Sequence, residues 1–400
     1  MSRSTLLPTA PTTSVSSGMG HGGFQTGPLV LAGLGLLFVA VMAWPFGGPR
    51  YGVAVAIGAL AGFALYHAAF GFTGAWRRVV SEKRGQGLRA QMVLLIAACA
   101  FTYPLIAYGA PIDGLRSGAW VLPFGVTALV GSFLFGAGMQ LGGGCGSGTL
   151  FTVGGGSTRM VVTLSAFITG SLIGTWHLPA WRGLPRLEAF SVVKEFGPWA
   201  AVAIVAVLGI AIIVWSVRRE RAAHGELEPR RQGGSVFGGP WSHTLGVIAL
   251  VVVSVATILT LGRPWGITSG FALWGAKIAS GIGIDVTSWS YWSGGRSRAL
   301  ERSVFADATS VMNFAIIFGA MAAAALAGKW SPVMRIGWRD LATAVIGGLL
   351  MGYGARLAYG CNIGAYLGGI VSGSMHGVLW GIVAFTGSSM MVKARMRFGF

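Results

Sequence analysis

Charge is what this sequence has least of. Only 10% of its 400 residues are Asp, Glu, Lys or Arg, against roughly 25% in an ordinary soluble domain. So few charges cannot cover a water-facing surface. A soluble globular protein is therefore excluded, and the surplus apolar surface (54% of residues are hydrophobic) must face lipid. Acidic residues are scarcer still, 11 against 29 Lys and Arg, for a net charge of +18. Such an excess can signal nucleic acid, but here the basic residues stand in short runs between apolar segments. That is the distribution the positive-inside rule gives a membrane protein, so no nucleic-acid partner is expected. Cysteine is limited to Cys99, Cys145 and Cys361. Three are too few for a disulfide framework. With no C-x-x-C pair and no His cluster beside them, a structural zinc or iron–sulfur site is not expected either, nor any cofactor. Residues 1–27 carry one basic residue, Arg3, and no apolar core ending in a small-residue cleavage site, so they read as a flexible tail rather than a signal peptide.

Glycine, by contrast, is abundant. Its 66 residues fall largely inside apolar runs, as happens where membrane helices approach closely or break. Runs of spanning length recur at 28–46, 51–70, 91–109, 119–141, 197–217, 243–262, 304–327 and 341–359, each near the ~20 residues a bilayer requires. They are continuous rather than alternating, which makes them helices and not barrel strands. Interrupted runs at 160–176, 266–283 and 375–392 read as spans, half-spans or re-entrant pieces. The fold class is all-α and polytopic, with the lipid bilayer as a partner.

Arg77, Arg78, Lys83, Arg84 and Arg89 crowd one loop, and Arg218, Arg219, Arg221, Arg230 and Arg231 another. Both read as cytoplasmic. The N-terminus is then inside, with 28–46 leading out and 51–70 leading back. Lys393, Arg395 and Arg397 put the C-terminus inside too, whereas Lys329, Arg335 and Arg339 leave the parity of spans in the second half open.

The polar stretch 218–240 divides the chain into a first membrane repeat (28–217) and a second (241–400), joined by a cytoplasmic linker. Residues 136–148, G-A-G-M-Q-L-G-G-G-C-G-S-G, and 352–364, G-Y-G-A-R-L-A-Y-G-C-N-I-G, share the pattern G-x-G-x-x-L-x-x-G-C-x-x-G. A second match sets Gly62-Phe-Ala-Leu against Gly270-Phe-Ala-Leu. Two matches in the same order imply an internal duplication. Gly-interrupted apolar segments in matching halves are the pattern of a transporter with its site near the midplane.

Each repeat thus carries one glycine-flanked cysteine at the end of an apolar run. The glycines Gly144, Gly146 and Gly148 around Cys145, and Gly360 and Gly364 around Cys361, let a helix stop inside the membrane and expose backbone N–H groups. A half-helix starting just after the cysteine offers those groups and its positive dipole end to an anion. The thiol adds a weak donor and a polarisable contact, suited to a soft sulfur-bearing anion. A single copy would read as a small buried packing residue; the repetition favours function. Gly142 to Thr149 is not a P-loop, because no Gly-Lys-Ser/Thr follows. Arg356, five residues before Cys361, is costly at that depth and marks a site or a water-filled vestibule unless it snorkels or pairs structurally. Gln140 holds its place in the first repeat. Asn362 either donates to an anion or caps the half-helix. Lys277 is a weaker candidate of the same kind as Arg356. His67, His376 and Cys99 read as packing residues, and Arg263 as an interfacial anchor.

The Cys motifs, Ser372-Gly-Ser-Met-His-Gly, Gly262-Arg-Pro-Trp-Gly-Ile-Thr and Leu273-Trp-Gly-Ala-Lys resemble the YeeE/YedE sulfur-transport family of bacterial membrane proteins, in its longer branch, over most of residues 50–390. The resemblance implies thiosulfate uptake through a central pathway between broken helices in the inner membrane, with Cys145 and Cys361 as pathway cysteines. A small cytoplasmic sulfur-carrier protein is an implied partner. Many relatives have a further first-half cysteine in a Phe-Cys-x-x-Gly/Ala setting; here Phe70-Gly71-Phe72-Thr73-Gly74 puts glycine there. That departure leaves another small anion or a selenium compound open as substrate. Besides transport, a membrane sulfurtransferase using a Cys persulfide and a structural or regulatory subunit remain as alternatives.

Overall fold

The computed structural model describes residues 23–332 and 335–398. The tail expected at 1–27 therefore falls mostly outside the described residues, and helix begins at Thr26. Ten helical segments among the described residues are long and apolar enough to cross a membrane. The chain is an all-α, multi-pass membrane protein, in which the only strands among the described residues are the two-residue pieces β1 (Phe124–Gly125) and β2 (Arg186–Leu187).

The first part of the chain runs α1 (Thr26–Gly47), α2 (Pro49–Ala68), α3 (Phe72–Ser81), α4 (Gln86–Tyr108), α5 (Val126–Gly142), α6 (Gly146–Gly154) and α7 (Thr158–Trp181). After the short α8 (Val192–Phe196) come α9 (Pro198–His224), α10 (His243–Leu261), α11 (Thr268–Gly281), the short α12 (Ser297–Glu301), α13 (Ala308–Leu326), α14 (Trp338–Leu357), a π-helical turn over Asn362–Leu367, α15 (Gly368–Val371) and α16 (Met375–Phe398). Of the three interrupted runs, 160–176 and 375–392 lie in full-length helices, and 266–283 forms the half-length α11.

Packing follows a paired scheme. α1 lies on α13 as α9 lies on α4; α3 lies on α16 as α11 lies on α7; α14 packs on α7 as α5 packs on α16; and α5 and α14 cross each other at the centre. The Gly62 and Gly270 matches do not take part in this scheme. Gly62 is in the middle of the full-length α2, and Gly270 is at the start of the half-length α11. Both are small for a local reason, close approach to α13: a Cβ on Gly62 would run into the Ile316 carbonyl, and one on Gly270 would stand 2.8 Å from Asn313 Nδ2.

One end of the bundle carries the two basic loops read as cytoplasmic. The 225–242 linker reaches it through Arg231 Nη1, which donates to the Ala68 carbonyl (2.8 Å), and α1 and α13 meet there through the Gln25 N–H and Ala325 carbonyl (2.9 Å). Lys329 and Arg339 flank the turn between α13 and α14 at this same end, where Gly156 faces Ser331. The half-length α11 adds no crossing between α10 and α13, which resolves the parity left open by the sequence.

The central crossing depends on missing side chains. A Cβ on Gly347 of α14 would lie 2.6 Å from Gly142 Cα and 2.7 Å from the Gly138 carbonyl oxygen of α5. Those are backbone atoms of a neighbouring helix and cannot rotate away. Gly347→Val should therefore cost about 1–3 kcal/mol through overpacking. A lower melting temperature of the detergent-purified variant would register it; an unchanged one would show that the helices can separate freely.

Candidate functional site

Each candidate cysteine sits at the tip of a chain reversal. α5 ends at Gly142, the chain turns through Gly143 (φ +84°), and extended Cys145 is the N-cap of α6. α14 ends at Leu357, the chain turns through Tyr359 (φ +63°), and extended Cys361 is the N-cap of the π-helical turn. At an N-cap the following N–H groups have no partner within their own helix. The Cys145 sulfur lies against the N–H groups of Ser147 and Gly148, and the Cys361 sulfur against those of Ile363 and Gly364. Cys145 Sγ is also 3.5 Å from Ser147 Oγ. Both thiols are free and buried.

The two tips meet. A Cβ placed on Gly146 would stand 2.9 Å from Cys361 Sγ, 3.2 Å from Cys361 Cβ and 3.6 Å from Ile267 Cγ2. The remaining motif glycines make the turns compact. A Cβ on Gly144 would be 3.3 Å from Thr149 N and one on Gly360 2.9 Å from Ala365 N, while Gly148 faces the Cys145 sulfur at 3.5 Å. Gly364 opens instead towards Gly266 Cα, at 3.7 Å. Two helix N-termini thus point at one small region lined by two soft sulfurs.

Above it, at the end opposite the linker, lies a vestibule of about 710 Å³. Gly364 and Ile267 are at its base, and Arg182, Arg186, Arg263, Arg296 and Arg356 are in its walls, with Asp307 the single carboxylate among its lining residues. One oxygen of the Asp307 carboxylate, Oδ2, accepts from both the N–H and the hydroxyl of Ser310 (2.8 and 2.7 Å). Arg356 is 8% exposed and donates to Thr268 Oγ1 (2.8 Å) and Tyr291 Oη (3.2 Å), and its Nε has no partner. A desolvated guanidinium held by two neutral hydroxyls keeps its charge uncompensated, and an anion would find it in that state.

The other candidates separate clearly. Asn362 is fully buried, and neither its Nδ2 nor its Oδ1 has a protein partner. Gln140 is buried on the linker side of the tips, donating to Ser388 Oγ (2.8 Å) and the Thr73 carbonyl (3.1 Å), with its Oε1 unpartnered. Arg356 and Gln140 therefore hold like places in the two motifs but face opposite ends of the bundle. Lys277 is away from the tips, tying down the 282–307 segment through the carbonyls of Leu300 (2.7 Å) and Arg302 (2.5 Å). His67 stacks on Trp241, and His376 packs against Tyr359 and Phe124. The Cys99 thiol lies 3.7 Å from the Ile370 carbonyl, which also accepts from Tyr103 Oη (2.7 Å). It helps close the end of α15, and packing accounts for it.

Sequence reasoning missed the vestibule walls. Arg263, read as an anchor, lines the vestibule, bonds Thr309 Oγ1 (2.9 Å) and lies 5.8 Å over the Trp120 ring. Arg182, Arg186 and Arg296 stand in segments outside the two basic loops. Arginine on the end that the positive-inside rule leaves poor in it was the available signal.

Comparison with known proteins gives a consistent picture. Residues 67–390 match the family described as Sulphur transport. The thiosulfate transporter TsuA of Escherichia coli (strain K12) is 25% identical over 324 residues, covering 77% of this chain and 84% of that protein. TsuA of Spirochaeta thermophila is 31% identical over 263 residues, or 60% of this chain and 69% of that protein. The probable transporter YedE of Escherichia coli (strain K12) is 30% identical over 148 residues, and that match spans only 36% of its length.

Proposed function

The chain belongs to the YeeE/YedE sulphur-transport family, and from that premise we propose that it carries a small sulfur-containing anion, thiosulfate first, across the bacterial inner membrane between the Cys145 and Cys361 tips. The observation that carries this reading is the junction itself: two thiols at two helix N-termini, directly beneath a vestibule whose buried Arg356 has no carboxylate on it. The vestibule gathers anions by charge. The tips then replace water around the anion with N–H donors and polarisable sulfur. Asn362, with its whole amide unspent, lines the passage, and Gln140 continues it on the far side. The linker end is cytoplasmic in this reading and the vestibule external; uptake then delivers the anion at the linker end, where a small sulfur-carrier protein would receive it.

Transport is favoured over sulfurtransfer because Arg356 engages Thr268 and Tyr291 rather than a thiol. Among the described residues the helix N-termini stand beside the thiols, with neither a cation nor a base placed to activate one as a nucleophile. The paired packing also supports two inverted units, with α1–α7 answering to α9–α16. On that reading the boundary falls before α9, near Gly197, and the 218–240 stretch joins two helices of the second unit rather than the halves.

The deciding experiment is uptake of labelled thiosulfate into proteoliposomes, with sulfate and sulfite as competitors. Saturable uptake that sulfate blocks poorly is expected; uptake no faster than in empty liposomes sinks the proposal. In the same assay Arg356→Gln should raise the thiosulfate KM about ten-fold or more, the loss of one charged hydrogen bond worth ~1.5–3 kcal/mol. Arg356→Lys should recover part of it. An unchanged KM in Arg356→Gln would make this arginine structural.

A further inference from the structure

At the linker end a second cavity, of about 450 Å³, lies inward of the cysteine tips. Its floor is the start of α3, where a Cβ on Gly71 or Gly74 would meet nothing within 4 Å. The same helix touches the core on its other side: Phe72 and Trp76 pack edge-on against Tyr366 of the π-helical turn, and the Thr73 carbonyl accepts from Gln140. The cavity thus lies on one side of α3, whose other side packs against the elements that carry the proposed passage. Arg78, Arg231 and His243 face it with one carboxylate, Glu228.

Glu228 belongs to the linker, which is strapped down on both sides of it. Its own N–H donates to Glu220 Oε1 (2.8 Å), and Gln86 Nε2 donates to the Pro229 carbonyl (2.8 Å). Glu220 is fully buried and held by Arg84 (3.2 Å), Arg89 (2.6 Å) and the Gly85 N–H (3.0 Å), so the anchor is rigid. The linker is therefore not a loose tether. It presents the Glu228 side chain at a fixed place, where Oε1 takes Arg78 Nη2 at 2.8 Å and Oε2 is buried without a partner, while Arg78 Nε donates to Glu82 Oε2 (2.8 Å) on the exposed side. Arg–carboxylate pairs are frequently bidentate, and this one is not. A carboxylate that holds the cavity's arginine by one oxygen and leaves the other unsatisfied is placed to be exchanged for another anion.

We propose that the Arg78 cavity is an inner release site for a small oxyanion, in which the Glu228 carboxylate competes with the departing anion for Arg78 and so keeps the cytoplasmic mouth weakly binding. This rests on the proposed transport function. An anion leaving the tips displaces Glu228 from Arg78, then loses the site to the returning carboxylate. The same competition lowers the occupancy of the site by anions already in the cytoplasm, so internal anion inhibits weakly.

The test is uptake of labelled thiosulfate by proteoliposomes preloaded with unlabelled thiosulfate or with sulfate, comparing wild type, Glu228→Gln, Arg78→Gln and the double variant. Glu228→Gln keeps the side-chain size and the backbone bond to Glu220. Internal thiosulfate should inhibit it about three- to five-fold more strongly than wild type, the scale of one partly exposed ion pair. Arg78→Gln should abolish that added sensitivity, so that the double variant resembles Arg78→Gln alone. Melting temperatures in detergent identify a variant that has lost the strap, and for such a variant Glu228→Asp, which keeps the charge, must restore wild-type inhibition. Wild-type sensitivity to internal thiosulfate in folded Glu228→Gln, or an added sensitivity that persists without Arg78, overturns the release site alone. No uptake by wild-type protein overturns the transport reading and the release site with it.

Discussion

Serine at position 361 is expected to lower thiosulfate uptake by about ten-fold or more, ~1.4 kcal/mol at the limiting barrier. The substitution nearly preserves volume and keeps a donor at the N-cap, so the backbone of the tip has no reason to move. What changes is the atom. The Cys361 sulfur is buried beside Gly146 and the N–H groups of Ile363 and Gly364. A hydroxyl there is harder and prefers the same N–H donors that an anion needs. Cys145→Ser should act alike, because the Cys145 sulfur stands equivalently at the start of α6, against the N–H groups of Ser147 and Gly148. Cys99→Ser should leave selectivity unchanged, since that thiol meets the Ile370 carbonyl and Tyr103, away from the tips. The measurement is uptake per correctly inserted molecule. Alanine variants decide what the thiols do: wild-type rates in both Cys145→Ala and Cys361→Ala would rule out a role for sulfur and leave the N–H cradle as the whole site.

A comparable loss is expected from a residue with no chemistry of its own. Gly146 is the contact point between the tips, with its missing Cβ 2.9 Å from Cys361 Sγ. Alanine would press on the sulfur by a few tenths of an ångström. Valine adds two further methyls at a place enclosed by Cys361 and Ile267, so the tips must part or the passage must fill. We expect Gly146→Val to reduce uptake about 10- to 100-fold, in line with overpacking costs of 1–3 kcal/mol. Gly146→Ala should fall between it and wild type. The same overpacking should lower the melting temperature as well, so uptake is compared per folded, correctly inserted molecule. Near wild-type uptake in Gly146→Val would place the anion's route elsewhere, with the tips a packing feature.

The amino-acid sequence by itself determined the membrane class, the helical character of the spans and the two cysteine motifs. Each of these depends on composition or on neighbours along the chain: apolar runs of bilayer length, and glycines placed beside a cysteine. It also singled out Arg356, because an arginine in an apolar run is anomalous wherever its partners are. It did not show what the anomaly serves. Arg356 meets Thr268 and Tyr291, and Gly146 meets Cys361, only because α5 and α14 cross through bare backbone and α11 stops half-way. Local pattern carries no record of such distant neighbours. The same limit explains the misplaced pairing of Gly62 with Gly270: both are glycines required by α13, and close packing writes the same small residues into elements that are not equivalent. Arg263 shows the converse. Beside Pro264 and Trp265 it reads as an anchor, and only the convergence of six separate chain segments turns it into the wall of the vestibule. The polar stretch was legible as a linker, yet only the structure shows the buried Glu220 strapping it down beside Arg89. The sequence determined what each segment is, because burial and helix formation are local properties. The tertiary structure decided what each segment faces, because charge and sulfur acquire a function only from what is packed against them.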